Sequence, residues 1–88
     1  MARRLIWRKG AKEAVLNKAA EDSAQSETHA ARAALIVRNL SKGRPIRDVR
    51  EYKLRRTRKL FVYNLHGVRI EYFDDGKTVE IVTVEFSP

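Results

Sequence analysis

Seven consecutive residues, Lys53-Leu54-Arg55-Arg56-Thr57-Arg58-Lys59, place five cations on a short stretch of chain. Guanidinium and ammonium groups at that density can hold a phosphate chain or an acidic peptide, and their grip on a nucleic acid weakens as salt rises because counterions are released on binding. The run leads into three strand-like segments, Leu60 to Leu65, Val68 to Phe73 and Val79 to Phe86. Between them lie Leu65-His66-Gly67 and Asp74-Asp75-Gly76, and Asp-Gly is a strong short-range hairpin signal. An antiparallel meander is expected, with the densest positive charge attached to it.

Other residues with chemical potential are accounted for more simply. Two imidazoles could act as acid and base, but His29 falls in the first turn of a helix, His66 falls in a hairpin turn, and nothing in their spacing brings them together. His66, beside Gly67, is better placed as a contact to RNA or a partner. Asp74-Asp75 reads as turn chemistry, because aspartate side chains stabilise turns by accepting from nearby backbone amides. Tyr63 and Tyr72 sit among alternating apolar neighbours and read as core tyrosines, and Trp7 reads as core too.

Whatever positions these groups has to be small. The chain has 88 residues, room for a single domain spanning 1–88 whose stability is modest or shared with a partner. Its net charge of +8 is unevenly spread: residues 1–59 carry 17 Lys and Arg against 6 Asp and Glu, and residues 60–88 carry 2 against 5. That asymmetry points to nucleic acid or an acidic protein segment as partner. There is no cysteine, hence neither disulfide nor thiolate metal site, and no metal or cofactor is expected. The longest apolar run, Ala33-Ala34-Leu35-Ile36-Val37, is far short of a membrane span, and the first residues lack a hydrophobic signal core. A soluble cytoplasmic protein that engages no membrane is expected.

The elements follow from periodicity. Arg4-Leu5-Ile6-Trp7-Arg8 alternates, with Leu5 and Trp7 on one face, and predicts a first strand. From Ala11 the spacing becomes helical, with Ala11, Ala14, Val15, Lys18 and Ala19 on one stripe that dissolves at Glu21-Asp22-Ser23. A second helix is expected after Ser23 or Ser26, either able to cap its first amides, with Glu27 suited to the first turn. Its inner stripe is Ala30, Ala33, Ala34, Val37 and Leu40. Gly43 then stops it, and Arg44-Pro45 begins a loop within Ser41 to Asp48. With so many alanines the helices can pack closely, leaving the core's bulk to Leu5, Trp7, Leu35, Val68, Ile70, Val79 and Ile81. The expected fold class is α+β in the order β-α-α-β-β-β, a small antiparallel sheet of four strands with both helices on one face.

That order, together with Gly67-Val68-Arg69-Ile70-Glu71-Tyr72, resembles the RelE/ParE superfamily of bacterial toxins, in which a Gly-x-Arg-x-x-Tyr type pattern opens the penultimate strand. Ala20-Glu21-Asp22-Ser23 is also similar to the helix-helix connection of ParE-type members. The resemblance covers nearly the whole chain in element order. It implies the toxin of a type II toxin–antitoxin pair with an acidic cognate antitoxin, acting as a ribosome-dependent mRNA interferase or as an inhibitor of DNA gyrase. In the first case Arg69, matching the motif arginine, is the candidate catalytic residue that stabilises charge on the phosphate. Arg47, Arg50, Lys53, Arg55, Arg56, Arg58 and Lys59, with His66, would then bind RNA or the partner. The resemblance departs at Val84-Glu85-Phe86-Ser87-Pro88, where RelE-like nucleases place a further arginine and an aromatic acid or base. Weak or no cutting of free RNA is therefore expected. A gyrase-directed protein without nuclease chemistry, and a plain nucleic-acid-binding module on the same fold, stay open as alternatives.

Overall fold

A computed structural model describes residues 2–21, 23–54 and 58–87. The chain folds as β1 (Arg4–Trp7), α1 (Lys9–Ala20), α2 (Ala24–Ser41), β2 (Val49–Leu54), β3 (Arg58–Leu65), β4 (Val68–Asp74) and β5 (Thr78–Phe86). It is an α+β fold with a five-stranded sheet in the order β1-β5-β4-β3-β2. The expected four strands thus gain a fifth, β2, which takes in the start of the basic run and pairs antiparallel with β3 from Val49↔Tyr63 to Leu54↔Arg58. Its sequence, VREYKL, is half charged and carries no apolar alternation, so only the hydrogen bonds offered by the edge of β3 reveal it as a strand. The meander β2 to β5 is antiparallel, and β1 joins the outer edge of β5 in parallel, with Leu5 beside Val79 and Trp7 beside Ile81.

Local signals explain the boundaries. The Ser23 side chain caps α2 by accepting from the Ser26 amide at 3.0 Å, and Glu27 sits in the first turn where the helix end is positive. Gly43 adopts φ 72 and ends the helix, its amide donating to the Leu40 carbonyl at 3.0 Å. In the β3–β4 hairpin His66 and Gly67 both take positive φ, 53 and 77, the pair of left-handed residues that a two-residue primed turn needs. In the β4–β5 turn the Asp75 carboxylate accepts from the amides of Lys77 and Thr78 at 2.9 and 2.7 Å, and Asp74 accepts from Gly76 at 2.8 Å.

Both helices lie on one face of the sheet. Ala11, Ala33, Val37 and Leu40 pack there against Tyr63, Val68, Ile70, Tyr72, Val79, Ile81 and Val84, one continuous core with Leu5 and Trp7 against its margin. Two expectations about α2 are corrected. Ala34 and Leu35 face solvent, Leu35 at 54% exposed, because the buried stripe runs through Ser26, Ala30, Ala33, Val37 and Leu40, and Leu35 falls between its rows. On α1, Ala19 is likewise exposed. In β5 a bulge shifts the register after Tyr72, so Glu71 faces Thr83 whereas Tyr72 faces Ile81. The extra residue, Val82, changes the phase of the strand and lets Ile81 and Val84 both point to the helices.

Candidate nucleic-acid interface

Among the described residues, no helix covers the opposite face of the sheet. In β4 the alternation that buries Val68, Ile70 and Tyr72 under the helices sends Arg69, Glu71 and Phe73 to this open side. Cross-strand register adds Asn64 beside Arg69 and Val62 beside Glu71 from β3, and Arg50 beside Val62 and Tyr52 beside Leu60 from β2. A concavity of about 230 Å³ forms there, lined by Asp48, Arg50, Tyr52, Val62, Asn64 and Arg69. Two guanidiniums, an exposed phenol and a side-chain amide therefore share one hollow. Asp48, at φ 61, turns the chain from the loop into β2 and contributes the hollow's carboxylate.

The electrostatics of this face form a mosaic. Arg69 lies between Glu71 and Glu85, 3.8 and 3.7 Å away, and its side chain stays 41% exposed. Such long, exposed pairs contribute little to stability and can be exchanged for a stronger anion. Arg50 pairs with no carboxylate among the described residues. Toward the far end of the face, Glu80 takes Arg8 at 2.7 Å and Arg58 at 3.4 Å on its two oxygens. Arg8, foremost, and then Arg58 hold its carboxyl below the usual carboxylate range.

The sequence-predicted site residues are distributed as follows. Arg69 and Arg50 share the hollow. Arg58 opens β3 on the same face, its guanidinium 3.9 Å from the centroid of the Phe73 ring. Lys59, next in the strand, pairs with Glu51 at 3.0 Å, and Lys53 stands opposite it in the β2–β3 ladder. Arg55 and Arg56 lie outside the described residues. Arg47 is exposed in the loop before β2, and His66 is exposed at the tip of the β3–β4 turn. The basic run thus straddles two strands, where the sequence pattern placed it ahead of the first strand of the meander. His29, in the second turn of α2, packs its ring against Gly67 and stacks on Phe86 with centroids 6.4 Å apart. The structure therefore seats one histidine beneath the turn that carries the other, a contact between α2 and the β3–β4 hairpin that sequence spacing does not contain.

Tyr63 and Tyr72 are core residues, at 2% and 4% exposed. Burial, with the Asp74 charge adding to it, pushes the Tyr72 phenol up to about 12, so it keeps its proton at neutral pH. The tyrosine that sequence reasoning missed is Tyr52, 47% exposed on the open face. Its signal was weak, because it sits among charged residues in a segment with no strand pattern. Asn64 lies in an expected strand, but only its register opposite Arg69 brings it to the site, and Asp48 reaches the hollow from the loop before β2.

Chemically, the hollow can hold a phosphate between Arg50 and Arg69 and offer the Tyr52 ring to a base, the combination that single-stranded nucleic acid uses. Among the described residues, no three His, Asp or Glu side chains stand together to hold a metal ion, and no helix is long and apolar enough to cross a membrane. Comparison with family models, with curated proteins and with solved structures returns no match.

Proposed function

We propose that this protein binds single-stranded RNA on the open face of its sheet, with Arg50 and Arg69 on the phosphates and Tyr52 beneath a base, and that it acts as a RelE-like toxin on ribosome-associated mRNA. The observation that carries the RNA reading is the meeting of Arg50, Tyr52, Asn64 and Arg69 in one concavity on a helix-free sheet surface. The toxin assignment rests on the Gly67 to Tyr72 pattern and on the element order, and in this reading the basic surface is what an acidic antitoxin masks.

The test is binding of a short single-stranded RNA, read by fluorescence anisotropy across a salt series, with translation and supercoiling assays beside it. Affinity should fall steeply with salt, and Arg50→Ala and Arg69→Ala should each flatten the log-log slope by about one. Purified protein should arrest translation and leave naked RNA uncut. Where ribosomes elicit cutting, Arg69→Ala should lower its rate on the order of a hundredfold. Salt-independent binding, or robust cutting of free RNA, would reject this reading. Inhibition of gyrase without translation arrest would move the protein to the gyrase-directed class.

A further inference from the structure

A second hollow of the open face, of about 310 Å³, is lined by Arg58, Phe73, Thr78 and Glu80, with Lys59 and the turn aspartates Asp74 and Asp75 at its margin. Arg58 places its guanidinium carbon over the Phe73 ring, 3.9 Å from the centroid, and its side chain is 59% exposed. The ring backs the guanidinium, while more than half of the side chain stays in solvent. A planar cation fixed in this way is a ready stacking shelf for a nucleobase. Beside it, each oxygen of Glu80 already accepts one arginine, Oε2 from Arg8 and Oε1 from Arg58. A carboxylate has about four lone-pair sites, so each oxygen can accept once more, and the two arginines hold the group ionised and fixed in orientation.

Two adjacent acceptors call for two adjacent donors. Among the RNA bases only guanine presents a ring N–H and an amino group side by side on its Watson–Crick edge. Adenine and cytosine offer one donor next to an acceptor, and uracil sets one N–H between two carbonyls, which Glu80 would repel. Phe73 and Arg69 are four residues apart on the same face of β4, about 13 Å at the usual rise of a strand, so a base on the Arg58 shelf and a phosphate at Arg69 can belong to one short strand. Resting on the RNA-binding reading above, we propose that Arg58, Phe73 and Glu80 form a guanine subsite: the base stacks on Arg58 and donates its N1–H and 2-amino group to Glu80.

The decisive probe leaves the protein unaltered. Hexanucleotides of adenosine carrying a single guanosine, or inosine in its place, differ only in the 2-amino group. Wild-type protein should bind the guanosine strand about tenfold more tightly, the usual discrimination of a paired donor–acceptor contact. Glu80→Gln should erase that difference. Arg58→Lys, which keeps the charge but loses the plane, should weaken the guanosine strand more than a strand with an abasic site at that position. Circular dichroism would confirm that both variants are folded. Equal affinity of the wild type for guanosine and inosine strands overturns the subsite. If those strands bind equally but still lose affinity in Arg69→Ala, only the subsite falls. If neither strand binds, the RNA reading falls with it.

Discussion

The two faces of the sheet are built from the same strands and share almost nothing else. Ile70, fully buried in β4, has its neighbours Arg69 and Glu71 on the other side of the strand, one half-exposed and ion-paired over the solvent. On the helix face small residues from α1 and α2 approach large aliphatic ones from β4 and β5, and the fold's stability is concentrated there. On the open face the ordered contacts are ion pairs, a hydrogen bond donated by Thr83 to Glu71 and an arginine on a ring, each weak alone, and their value is in shape and charge. Residues one position apart therefore do different work, and substitutions along a single strand should separate stability from binding.

Ile70→Ala should show the largest effect, a loss of about 2–5 kcal/mol read from the urea midpoint, because the removed atoms leave a cavity that the close helices cannot refill. Its neighbour Arg69→Ala should cost less than about 1 kcal/mol while reducing RNA affinity. A comparable loss of stability at both positions would break the comparison.

Alkaline titration probes the helix face by another route. The folded-state pKa of Tyr72 lies above its ordinary value, at about 12. The folded state therefore keeps a proton that the unfolded chain gives up, and stability falls as pH rises from about 10 to 12 by on the order of 2 kcal/mol. Tyr72→Phe should remove that loss. An unchanged alkaline midpoint in Tyr72→Phe would mean that another group carries it.

Gly67→Ala should cost about 1–2 kcal/mol. Its φ of 77 is unfavourable for any residue with a Cβ, and the added methyl would meet the His29 ring at 3.0 Å. The companion change His29→Ala should recover the steric part of that loss and leave the backbone part, which a double-mutant cycle resolves. The smallest effect is expected at Leu35→Ala, within about 0.5 kcal/mol, since this leucine is exposed on α2. A loss as large as that at Ile70 would place a covering surface over it.

Much of this was legible in the chain. Ser23 and Gly43 mark both ends of α2 because capping and positive φ are properties of single residues, and His66-Gly67 and Asp75-Gly76 fix two hairpins for the same reason. Leu5 and Trp7, Val68 and Ile70, and Ala30 and Ala33 face the core as their periods require. The basic run and the uneven charge are likewise matters of composition. Local chemistry determines local geometry, so these features needed no partner to be read.

Tertiary structure decided the rest. β2 exists because β3 offers it an edge, and its charged sequence shows no pattern of its own. The bulge at Val82 reverses the phase of β5 halfway along, so that Ile81 and Val84 are buried together against a strict alternation. Register across strands, and not spacing within one, assembles Arg50, Tyr52, Asn64 and Arg69 into a hollow and lays Arg58 on Phe73. Side chains far apart in sequence meet only when backbone hydrogen bonds between strands have fixed which residue stands opposite which, and that choice is made by the whole sheet and its buried face at once.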